Sequence, residues 1–208
     1  MPTNPGESAA RSPTSRCILG VTLAFELGLG VLAVALALLF GLHPWLDLYW
    51  HGGLIPITLI ATLPMTGMIA LVMRSQRNWA EDLRRLVDEK LLPAFYGMHW
   101  WGTGLISVSA GIGEELLFRG VVQNGLGGIA GMFAALLATS LLFGLVHALT
   151  PAYFMLTTLA GLYLGGLYMA TDNLLLPILV HFLYDWIALS WLISRSLPGY
   201  YRGACPRR

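Results

Sequence analysis

Residues 106–122 read ISVSAGIGEELLFRGVV. Small and apolar side chains fill the stretch, yet it holds two carboxylates, Glu114 and Glu115, and a guanidinium, Arg119. The surrounding run, from about Gly102 to Leu126, has the length of a bilayer-crossing helix, which takes about 20 mostly apolar residues. A charge at the centre of such a helix costs roughly 2.5–3.5 kcal/mol on insertion scales. Three charges there need a reason.

The whole chain supports the membrane reading. Of its 208 residues 56% are hydrophobic and 11% charged, and the mean hydropathy is +0.68. Soluble domains carry about 25% charged residues. A net charge of +1 leaves no electrostatic footprint for nucleic acid. Cys17 and Cys205 have neither metal spacing nor a disulfide framework. Cys205 stands fourth from the end, but Pro206, Arg207 and Arg208 do not supply the aliphatic residues of a prenylation box.

Six segments have the length and composition of membrane spans: Ile18–Leu42, Leu54–Met73, Gly102–Leu126, Ile129–Leu149, Tyr153–Thr171 and Leu174–Ser194. Residues 78–92, NWAEDLRRLVDEKLL, alternate apolar and charged positions at helical spacing and predict an amphipathic helix at the membrane surface. Trp100 and Trp101 suit an interfacial belt. The expectation is an all-α polytopic bundle of about six transmembrane helices plus this surface helix. Residues 17–195 form the single integral domain, with the motif-bearing core at about 102–194. Residues 1–16 and 196–208 are cytoplasmic tails, the first disordered.

Orientation follows from the cations. Apart from Arg119, the eleven Lys and Arg residues fall before the first span, between the second and third, and after the sixth (2 + 5 + 4). Six crossings place all eleven on one side, so both termini face the cytoplasm. The sequences Gly127–Gly131 and Gly161–Gly165 carry small residues four apart, which let helices approach closely and do not by themselves imply a dimer.

The polar residues within the spans are Glu26, Glu114, Glu115, Arg119, His147, His181 and Asp185. Glu115 and Arg119 are four apart on one helical face and can pair, whereas Glu114 lies about 100° around the helix. His181 and Asp185 repeat the four-residue spacing. One shared pocket pays the burial cost once, so these groups point to a single site. Glu26 is expected to pair with a polar neighbour instead.

A carboxylate and a histidine can make water a nucleophile by general-base catalysis. A second histidine with a hydrogen-bonding neighbour can hold an oxyanion. There is no GxSxG and no HExxH. Zinc held by Glu114, His147 and His181 is an alternative. So are a non-catalytic scaffold or self-immunity protein and, third, a proton-coupled transporter. Against the transporter, the halves show no paired broken helices.

EELLFR, FGLVH and HFLYD, in that order on three helices, resemble the EExxxR, FxxxH and HxxxN/D motifs of the CAAX protease and bacteriocin-processing family (CPBP, or ABI). The resemblance covers roughly Leu105–Leu189. It implies a mostly helical intramembrane glutamate-dependent endopeptidase that forms no covalent intermediate and uses no cofactor. Its substrate would be a membrane-associated protein or peptide, and its setting the lipid bilayer; the short, loop-poor chain leads us to expect a bacterial inner membrane. Carried over, Glu114 and His147 activate the water, Arg119 pairs with Glu115 to hold the motif, and His181 and Asp185 stabilise the oxyanion. Asp185 departs from the Asn of the eukaryotic members, and an ionised Asp cannot donate a hydrogen bond. Under the span limits above, Glu114 and His147 differ in depth by about 10 Å. Tilted or broken helices would have to close that gap.

Overall fold

The computed structural model describes residues 13–95 and 98–195. Every regular element among them is helical. The first helix, α1, spans Pro13–Phe40, so it begins inside the predicted tail. The rest of that tail, and the C-terminal tail with Cys205, lie outside the described residues. A 3-10 turn, Pro44–Asp47, leads to α2, Leu54–Arg74.

Helix α3 covers Asn78–Leu86 and runs through a π-type turn, Val87–Leu91, into Leu92–Phe95. It is amphipathic, and its apolar side packs within the chain: Ala80 and Leu83 bury against Val72 of α2, with Tyr153 and Leu156 packed alongside. The Arg84 guanidinium donates to the carbonyls of Val72 (2.9 Å) and Ser75 (2.5 Å). It thereby satisfies acceptors that the end of α2 leaves without intrahelical partners.

Helix α4 is the long central element. It covers Trp100–Glu115, widens into π geometry over Leu116–Gln123, and continues as Asn124–Ala130. It packs between α1 and α7. Gly131, with φ +86°, breaks the chain sharply where a side chain would be strained, and α5 follows as Met132–Val146. The last two helices are α6, Pro151–Thr171, and α7, Leu175–Arg195. Thr150 caps α6 by accepting from the Tyr153 amide, and Pro151 occupies the first turn, where no amide hydrogen is needed.

Among the described residues four helical stretches have the length and apolarity to cross a membrane: Cys17–Phe40, Leu54–Arg74, Pro151–Thr171 and Leu175–Ser194. Met132–Val146 is apolar but shorter. Large apolar side chains such as Val31, Leu39 and Leu71 are more than two-thirds exposed, as lipid contact requires and water does not favour. The chain is an all-α integral membrane bundle.

The glycine spacing serves packing within the chain. At Gly161 a Cβ would press on the Cα of Ser140 in α5, and at Gly165 it would overlap the side chains of Gln123 and Leu136. The bare α6 backbone there accepts from Arg119 Nη2 at Gly161 O and from Gln123 Nε2 at Gly165 O, each at 3.2 Å. The π segment of α4 and the glycine face of α6 thus form a two-rung ladder.

Candidate active site

The shortness of α5 makes the site. Gly131 is the apex of the α4–α5 hairpin. Glu114 lies 17 residues before it and His147 16 after it (131 − 114 and 147 − 131). At about 1.5 Å per residue both stand ~25 Å from the apex. The depth gap expected from sequence came from placing the apex at Gly127-Gly128, and it closes when the apex moves to Gly131. Because α4 continues toward Trp100 while α5 stops at Val146, His147 emerges from a helix end inside the bundle.

His147 Nε2 lies 3.6 Å from Glu114 Oε1, close but beyond hydrogen-bond range. Its Nδ1 is 2.8 Å from the Phe143 carbonyl. A carbonyl only accepts, so Nδ1 carries the hydrogen, and when the ring is neutral its Nε2 lone pair is turned toward Glu114. Phe143 does more than share a face with His147. Its ring lies 4.5 Å from the His147 ring, and the Arg119 guanidinium sits 4.6 Å over it in cation–π geometry. Phe118 packs on it edge-on at 5.0 Å. The aromatic thereby lies between the Arg119 guanidinium and the His147 ring.

The predicted Glu115–Arg119 pair is formed: Arg119 Nη1 donates to Glu115 Oε1 at 2.9 Å, with both side chains fully buried. The same oxygen also faces His181 Nδ1 at 2.8 Å. Sequence reasoning missed this second contact, because residues 66 positions apart give no local signal. His181 Nε2 lies 3.4 Å from Asp185 Oδ2. His181 is therefore held on one nitrogen by the α4 carboxylate, with its other nitrogen directed to Asp185 and the cavity.

Glu114, His147, His181 and Asp185 line one cavity of about 120 Å³, with Phe143 and Thr157 among its walls. Glu115 and Arg119 lie behind it. Among the described residues no group of three or more His, Cys, Asp or Glu side chains is placed to hold a metal ion. Of the zinc set, Glu114 and His147 approach each other, but His181 points its Nδ1 at Glu115.

Toward α3 the site opens into a larger chamber of about 320 Å³. Residues of α1, α2, α3, α4, α6 and α7 line it, and Glu114, Tyr153, Leu156, Tyr184 and Asp185 border both spaces. Glu26 lines this chamber and is 8% exposed, with its Oε2 lacking a hydrogen-bond partner among the described residues. The expected polar neighbour is not what holds it. Glu26 faces the same interior as Glu114, because Gly113 lets α1 approach until the Glu26 carbonyl rests on the α4 backbone.

No curated protein and no solved structure matches the chain. The helices and loops that carry the site do match a family, and the six motif residues all fall inside the match. Residues 96–187 fit the model of the family described as type II CAAX prenyl endopeptidase Rce1-like, in agreement with the CAAX protease resemblance of the three motifs.

Proposed function

We propose that the protein is an intramembrane endopeptidase that hydrolyses a peptide bond of a membrane-associated protein or peptide with water activated by Glu114 and His147. The observation that carries this reading is the pair of acceptors, Glu114 Oε1 and His147 Nε2, facing each other at 3.6 Å on a cavity shared with His181 and Asp185. A carboxylate and an imidazole lone pair repel unless a hydrogen lies between them. A water can donate one hydrogen to each, which leaves its own lone pairs free for attack on a carbonyl. Proton transfer to this pair forms the nucleophile, and return of the proton to the nitrogen of the cleaved bond releases the amine.

His181 stabilises the oxyanion through Nε2–H, with Asp185 orienting the ring. The Glu115 contact at Nδ1 supports that role, since an acceptor there fixes the ring's direction. Glu115 and Arg119 are positioning residues. The apolar chamber beneath α3 accommodates the substrate segment. Both termini face the cytoplasm, as the one-sided distribution of eleven cations supports.

The test uses the full chain in proteoliposomes with a panel of quenched-fluorescent peptides, with and without an S-prenyl cysteine. Glu114→Ala and His147→Ala each abolish cleavage while the protein elutes and melts as the parent does. Retained cleavage in either variant refutes the reading. Loss of cleavage on chelation, restored by zinc, would favour the metal alternative. A biological effect that survives Glu114→Gln would favour a scaffold or self-immunity role.

A further inference from the structure

Glu26 lies outside the matched stretch, and no step above uses it. It is more than nine-tenths buried, with Oε2 unpartnered among the described residues. Its electrostatic neighbours are Glu114, His181, Asp185 and His147, with no lysine or arginine among them. An unpaired carboxyl is among the costliest side chains to place inside a membrane bundle, and such a residue marks function by default. Its position is also fixed. The carbonyl of Glu26 seats on Gly113, the residue before Glu114, so tightly that a Cβ at position 113 would overlap it.

The chamber offers an entering peptide little else. Its lining is chiefly apolar, with polar atoms supplied by residues such as Glu26, Glu114, Tyr153, Tyr184 and Asp185. A peptide that leaves water must find acceptors for its N–H groups or forfeit their hydrogen bonds. Glu114 is committed to the water, which leaves Glu26 as an acceptor on the α1 wall.

We propose that Glu26 contacts the substrate: it accepts a hydrogen bond from an N–H donor of the bound segment, a backbone amide or a cationic side chain, and so sets the segment's register against Glu114. This rests on the peptidase reading. Helix α1 then contributes to specificity as well as to packing.

The experiment compares Glu26→Leu, Glu26→Gln and Glu114→Ala in proteoliposomes, using a quenched-fluorescent peptide that the parent cleaves. Glu26→Leu raises KM about tenfold or more, as loss of a hydrogen bond to a charged group does. Its kcat changes far less, and its melting temperature is equal or higher because no protein partner is lost. Glu26→Gln distinguishes the two donors. Near-parental KM identifies a backbone amide, and KM as poor as that of the Leu variant identifies a cationic group. An unchanged KM in Glu26→Leu overturns the inference, as does a lowered melting temperature, which would make Glu26 a structural partner. Cleavage that persists in Glu114→Ala removes the peptidase reading, and this inference falls with it. A dead Glu114→Ala beside a fully active Glu26→Leu removes this inference alone.

Discussion

Replacing Arg119 by Met isolates what the buried ion pair contributes. Glu115 is fully buried, and its Oε1 receives Arg119 at 2.9 Å and His181 at 2.8 Å, while Oε2 has no partner among the described residues. Arg119→Met removes the guanidinium and leaves a buried carboxylate held only by His181. It also takes the donor from the Gly161 carbonyl and the cation from the Phe143 ring. Breaking one side of a buried pair costs about 3–5 kcal/mol. Glu115→Met costs a similar amount, because it strands Arg119 and also unpairs His181 Nδ1. In the double variant no charge is left uncompensated. Its remaining penalty is the unsatisfied His181 N–H, about 1–3 kcal/mol, since the Gly161 carbonyl keeps its partner within the helix. The two single losses therefore exceed the double loss by at least about 3 kcal/mol. Equilibrium unfolding of the four proteins in one detergent, treated as a double-mutant cycle, measures this coupling. Additive losses, or an Arg119→Met cost below ~1 kcal/mol, would refute the account of the pair as the clamp behind the site.

Two further outcomes follow from the geometry. Gly113→Ala forces its Cβ into the Glu26 carbonyl. It is expected to cost about 1–3 kcal/mol through overpacking, whereas Gly128→Ala, with open space around the added atom, is neutral or stabilising by up to ~1 kcal/mol. Thermal melts of the two variants side by side check this, and equal behaviour would contradict the close α1–α4 crossing. Asp185→Asn keeps an oxygen near His181 Nε2 and adds a donor, so cleavage persists within about tenfold of the parent. Asp185→Ala frees the ring and lowers kcat more than the Asn variant does, a ranking that steady-state kinetics on the same peptide can reverse if Asp185 has no positioning role.

The membrane class, the helical architecture and the motif residues were legible in the sequence because each has a local signature. Hydropathy marks length of span, and four-residue spacing puts Glu115 with Arg119 and His181 with Asp185 on shared faces. The amphipathic stretch 78–92 was legible for the same reason. The number of crossings was harder to read, since α4 carries a π segment and α5 is short, and neither feature has a composition of its own.

The sequence by itself determined which side chains bear the cost of burial, because an ionisable residue in an apolar run is visible wherever it occurs. Only the tertiary structure decided what each one faces. It turned Gly131 into the hairpin apex that brings Glu114 and His147 to one depth, gave Glu115 two partners on one oxygen, and set Glu26 into the chamber. The physical reason is range. Helix periodicity fixes directions only within a few turns, whereas the meeting of α1, α4, α5 and α7 depends on backbone approach at glycines and on where a short helix ends.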